Sequence, residues 1–181
     1  MKLLSAGGKE YELHSITGKV LETGKNLETK VHGGGGGGAT YGGYGGTAPV
    51  SIRSTTIVHD QIFLTDEQGN EHSFQLQGFN VACREANLLS VVWAIKKGAR
   101  QGPYIAVINK TTNCNFFEDK TLQSMFRYPV WYMLAALLLS LSLGAINSLF
   151  YWGLLLVPVV WFMQGVKGAK KFKAETNFRD F

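Results

Sequence analysis

Apolar and polar positions alternate with a period of two over most of the first 117 residues, and then the pattern changes. Tyr11, Leu13 and Ser15 alternate with Glu12, His14 and Ile16; Leu27, Thr29 and Val31 alternate with Glu28 and Lys30. Gly18-Lys19 reads as a break in this region and Gly24-Lys25-Asn26 as a turn, so that residues 9–32 predict a hairpin. Strand signals resume with Val50 and Ile52 against Ser51 and Arg53, followed by the β-rich run Thr55–Thr65. The turn cluster Asp66–Asn70 leads into Phe74 and Leu76, which alternate with Ser73, Gln75 and Gln77. That is the clearest hairpin signal in the chain, and Gly78-Phe79 marks a bend after it. Such alternation gives each strand one apolar and one solvated face, as in an antiparallel sheet.

Leu88–Ile95 is different, a continuous apolar run containing Trp93, and predicts a strand buried on both faces. A basic turn, Lys96–Pro103, leads to Tyr104–Ile108 and then to the turn-rich Asn109–Asn115. Short strands with turn signals every 8–12 residues or so predict a mainly β domain over residues 1–118, a small antiparallel barrel or sandwich of about six to eight strands. Helical periodicity first becomes persuasive near Phe117–Arg127, where Phe117, Leu122, Met125 and Phe126 oppose Glu118, Asp119, Lys120 and Gln123. Residues 119–127 thus form a juxtamembrane linker. Within the β-domain, residues 33–49 hold six consecutive glycines and then Tyr41 and Tyr44 among further glycines. The run fits a dinucleotide fingerprint only trivially, has no strand–turn–helix context, and lacks a closing Gly-Lys-Ser/Thr. It reads as a flexible hairpin loop, with partner binding through the two tyrosines as the alternative.

Tyr128 to Val166 contains no charged residue; Arg127 precedes it and Lys167 follows it. As one helix these 39 residues would rise roughly 58 Å, nearly twice a ~30 Å hydrocarbon core. Two spans of about 17–19 residues fit better, broken at Gly144 and Asn147-Ser148. The aromatics agree: Tyr128, Trp131 and Tyr132 come first, Tyr151 and Trp152 lie in the middle, and Trp161 follows. A there-and-back α-helical transmembrane hairpin puts the outer groups at one interface and the middle pair at the other. Pro158 predicts a kink in the second span. Ala135, Ala136, Ser140, Ser142 and Gly144 offer a small-residue face for helix packing or self-association.

Charge adds a direction. Residues 1–127 carry thirteen Lys/Arg against eleven Asp/Glu, and residues 167–181 carry five against two. The positive excess therefore sits in a basic tail beside the uncharged stretch. There it sets orientation rather than a phosphate-binding surface, so no nucleic acid is expected as a partner. Both termini are expected in the cytoplasm of an integral membrane protein, with a bacterial inner membrane as the setting. The N-terminal apolar run is too short for a signal sequence, so Cys83 and Cys114 are expected as reduced thiols.

Catalytic chemistry finds little to stand on. His14, His32, His59 and His72 have no metal-ligand spacing, and no nucleophile elbow accompanies His59-Asp60. Asp66, Glu67 and Glu71 lack the calcium-loop pattern. No cofactor is implied. The one basic constellation of the β-domain, Arg84, Lys96, Lys97 and Arg100 around Trp93, is a candidate site for an anionic ligand, against the alternative of a solvated turn facing acidic lipid. The chain therefore reads as a membrane-anchored cytoplasmic β-domain that binds or scaffolds a partner, without enzymatic activity, its partners being the bilayer and a protein. The alternative is a ligand-sensing effector whose hairpins assemble and perturb the membrane, a layout that resembles some bacterial antiphage membrane effectors.

Overall fold

The computed structural model describes residues 2–34 and 51–176. Seven antiparallel strands form one sheet: β1 Lys2–Ala6, β2 Lys9–Gly34, β3 Ser51–Thr65, β4 Glu71–Gln77, β5 Leu88–Lys96, β6 Tyr104–Asn109 and β7 Cys114–Phe117. They lie in the order β4-β3-β2-β5-β6-β7, with β1 on β2. Tyr11–Leu13 pair with both β1 and β5, and Lys19 pairs with both β5 and β3. A strand has only two edges, so β1 and β3 share one side of β2 and β5 takes the other. The sheet curls into a half-barrel. The β-domain is thus the antiparallel one expected, as a half-barrel of one sheet rather than a sandwich.

The reason lies in what covers the second face. On β5, Val91 belongs to one apolar core with Val20, Ile62, Leu64, Phe74 and Leu76. Its neighbour Val92 points the other way, into a core with Tyr11, Leu13, Ala106, Ile108 and Leu122. Adjacent residues on a strand face opposite sides, so β5 is buried on both, as its unbroken apolar run predicts. The first core also takes in Phe79 and Val81 from the loop after β4. The second is closed not by another sheet but by helices: α1, Asp119–Phe126, supplies Leu122 and Met125, and α3, Gly153–Glu175, supplies Ala169 and Phe172.

Two glycine readings are corrected. β2 runs unbroken through Gly18 and Gly24 for 26 residues, with one bulge between Val20 and Glu22. A Cβ on Gly18 would lie 2.6 Å from the Thr65 carbonyl oxygen. Gly18 therefore marks a close backbone approach inside the sheet, not a chain reversal. The hairpin expected within residues 9–32 is instead the pairing of β2 with β3, in register from Lys19↔Thr65 to Gly34↔Ser51. Of the expected loop at 33–49, Gly33 and Gly34 end β2; residues 35–50, with Tyr41 and Tyr44, lie outside the described residues.

The hydrophobic stretch folds as α2, Val130–Gly144, then a short 3-10 turn, Ser148–Trp152, that runs on into α3. Together Ser148–Glu175 make a helix of 28 residues, long and apolar enough to cross a membrane. Pro158 lies inside α3 without ending it. The helix α2 has 15 residues, about 22 Å of rise, and alone falls short of a ~30 Å hydrocarbon core. It follows α1 with a bend of 55°. The expected basic tail is, as far as Glu175, the last part of α3 packed on the sheet.

Candidate functional site

Three regions offer themselves, and the residues singled out from the sequence divide among them. The basic constellation does not converge. Arg84 precedes β5, in a loop where its backbone N–H donates to Asn87 Oδ1 at 3.0 Å. Lys96, Lys97 and Arg100 lie at or just beyond the other end of that strand, whose two ends are about 26 Å apart at the usual rise per residue. Lys97 is also engaged: its ammonium donates to Glu10 Oε2 at 2.6 Å, which raises the Lys97 pKa and lowers that of Glu10. Only Trp93 and Arg100 share a cavity, of about 590 Å³, with Ile16, His72, Phe74 and Tyr104. The rings form a chain there. Trp93 meets Tyr104 edge-on at 6.4 Å, and Tyr104 meets Phe74 edge-on at 5.8 Å. From the opposite neighbour, His14 stacks on Trp93 at 5.8 Å. The cleft, which Glu71 and Ser73 also line, suits a flat apolar group beside the Arg100 cation.

Reactive thiol chemistry is disfavoured at Cys83. Burial first, and the Asp60 carboxylate second, push the Cys83 thiol up, away from the thiolate that a nucleophile needs. Among the described residues no cluster of three or more His, Cys, Asp or Glu could hold a metal ion.

The second region is an arm. The strand β4 covers β3 only over His59–Thr65, and β5 covers β2 only as far as Lys19. Beyond them Leu27–Gly34 and the start of β3 pair only with each other. Directly opposed residues share a face, so Leu27, Thr29 and Val31 line one side with Ser54, Thr56 and Ile52. Leu27, Val31 and Ile52 are 69%, 65% and 68% exposed. The opposite side is polar and internally paired: Glu28 lies 3.0 Å from His59 Nε2 and 3.4 Å from Lys30 Nζ, contacts that lower its pKa. A two-stranded ribbon alone is marginal in water, and this one leaves its apolar face open.

The third region is the junction between sheet and helices. The turn between β1 and β2 has Gly7 at φ +57° and Gly8 at φ +71°. Gly7 abuts the carbonyls of Met125 and Arg127, where a side chain has no room, and Gly8 lies against the Tyr128 ring. Glycine is required there by both conformation and contact. Around it the aromatics gather: Tyr128 and Tyr132 at 5.7 Å, and Trp131 stacked on Tyr132 at 3.7 Å. Trp161 Nε1 donates to the Tyr128 carbonyl at 2.9 Å, while the Arg127 guanidinium lies 5.1 Å from Trp161 and 4.6 Å from Phe162. Tyr151 and Trp152 sit at the far end, in the 3-10 turn, with Tyr151 against Gly144. Ser140 donates to the Phe150 carbonyl at 2.5 Å and packs on Gly153. Hence Ser140 and Gly144, from the small-residue face, are spent on contacts within the chain. These pairings also make α2 and α3 antiparallel.

Sequence reasoning missed the seat of α3 on the sheet. Its signal was Gly165, Gly168, Ala169 and Phe172, an i, i+3, i+4, i+7 pattern hidden among lysines. A Cβ on Gly165 would lie 2.6 Å from the Gln123 carbonyl oxygen, and one on Gly168 would lie 2.6 Å from the Phe126 ring. Small residues thus let α3 touch α1 directly. Lys173 completes the contact through an ion pair with Asp119 in the first turn of α1. No protein-family model, curated protein or solved structure matches this chain.

Proposed function

We propose that this protein is a membrane-anchored binding module without catalytic activity, in which the half-barrel carries a protein-binding arm away from the bilayer. The observation that carries this reading is the arm's open apolar face, Leu27, Val31 and Ile52. The helical part is read as a two-span hairpin. Its antiparallel helices share one end marked by Arg127, Tyr128 and Trp161, and an uncharged turn, Ala145–Asn147, forms the other. Arg127, Lys167, Lys170, Lys171 and Lys173 all lie toward the sheet, which favours a cytoplasmic half-barrel. The arm's direction follows from register. Near the junction Lys9 opposes Ala6, and Leu13 opposes Lys2, alongside the last turns of α3. The strand β2 thus leaves the membrane side and carries the arm outward.

A photo-crosslinking amino acid placed in the full chain at Leu27 or Val31 tests the reading in cells. Discrete higher-mass adducts are expected at these positions and not at Lys30, on the paired polar face. Equal labelling on both faces, or none at either, would overturn it.

A further inference from the structure

One stripe of α3 changes character along its length. Val160, Met163, Lys167 and Lys171 recur at intervals of three or four and share a face. The change falls just past Trp161, which donates to the Tyr128 carbonyl at the junction. Lys167 is the first charged residue after the uncharged stretch that ends at Val166, where the membrane reading puts lipid headgroups. Opposite this stripe stand Ser5, Ala6 and Gly7 of β1 and its turn, with Phe126 beside Gly168 between them. They enclose a groove of about 660 Å³. It shares Ser5, Phe126, Gly168 and Lys171 with a second cavity of about 530 Å³ further up β1. Lys171 lies 3.7 Å from Glu175; Lys167 has no carboxylate partner among the described residues. The groove is therefore apolar below, cationic above and open to the side.

We propose that this groove holds one anionic glycerophospholipid, its phosphate between Lys167 and Lys171 and an acyl chain along Val160 and Met163. The two lysines complement the phosphate and the apolar lower wall complements the acyl chain. This inference rests on the membrane reading above, but not on the arm. Because β1 forms one wall and α3 the other, a bound lipid ties the sheet to the helix and stabilises the junction.

The test uses the full chain. Alkaline washing of membranes first reports on anchoring: release into the wash would sink the anchor reading itself. With the chain retained, native mass spectrometry in mild detergent compares added phosphatidylglycerol with phosphatidylcholine. The expected result is one retained phosphatidylglycerol per chain and little phosphatidylcholine. Lys167→Ala with Lys171→Ala should lower that occupancy on the order of tenfold. Ser5→Trp, which fills the groove without changing charge at an exposed position, should lower it equally. Equal retention of the two lipids would overturn the proposal. So would a Ser5→Trp variant that binds normally, since a diffuse basic surface feels charge but not a plug.

Discussion

Asp60 is the one carboxylate buried in the sheet among the described residues, at 3% exposure. Its Oδ2 accepts the Val81 N–H at 2.8 Å, and Lys25, its partner across the β2–β3 ladder, approaches to 3.8 Å. Removing the acceptor strands a buried donor, so Asp60→Ala should cost about 1–3 kcal/mol in a urea melt, and Asp60→Asn, which keeps an oxygen, less. Asp66 makes a different prediction. It accepts from the N–H groups of Gln68 and Asn70, from the Asn70 amide and from His72, and these bonds hold its carboxyl well below the usual range, His72 contributing most. A depressed folded-state pKa means stability that is present above the unfolded value of about 3.9 and lost as pH falls through the folded one. The stability gap between wild type and Asp66→Asn should therefore narrow on acidification below about pH 4; a gap that widens there would refute the assignment. The Asp60 role was not visible in the sequence, because its partner Val81 comes from a loop beyond β4. The turn at Asp66–Asn70 was legible because all its donors lie within six residues.

Elements were legible where their signal is local. The β3–β4 hairpin, the doubly buried β5 and the short helix α1 all follow from period and turn chemistry. What failed were inferences that needed a neighbour. Gly18 looks like a turn until Thr65 is beside it. Lys167–Lys173 looks like a tail until Leu122 and Met125 of α1 pack beside Ala169 and Phe172. The latter contact is measurable. Phe172 is 6% exposed and its ring lies 5.9 Å from that of Phe126, tilted against it. Phe172→Ala should lower stability by about 3–5 kcal/mol, seen as a lower midpoint for the detergent-solubilised chain. Leu155→Ala, at a position 64% exposed, is the control that should leave it nearly unchanged. Equal effects would mean that α3 is tethered to the sheet without being seated on it.

For the whole molecule the deciding question is how far the helices reach. Uncharged residues 148–166 of the long helix number 19, about 28 Å, close to the ~30 Å hydrocarbon thickness. The returning partner, α2, supplies only about 22 Å, and the remainder falls to Tyr128-Pro129 and the turn Ala145–Asn147. A shallower, re-entrant insertion would bury that turn halfway, leaving the Asn147 cap, which accepts the Leu149 N–H at 3.0 Å, and the paired Tyr151 and Trp152 in hydrocarbon. A spanning hairpin puts the aromatics of that turn and the polar cap at an interface instead. Single cysteines at Glu67, on the half-barrel, and at Ser148, in the turn, distinguish the two in a Cys83→Ser, Cys114→Ser background. Both positions are exposed in the structure. An impermeant maleimide should label Ser148→Cys from one side of sealed vesicles and Glu67→Cys only from the other. Labelling of both from the same side would leave α2 and α3 as a re-entrant loop. The half-barrel would then sit on the same junction of Gly7, Arg127 and Tyr128, held to one leaflet.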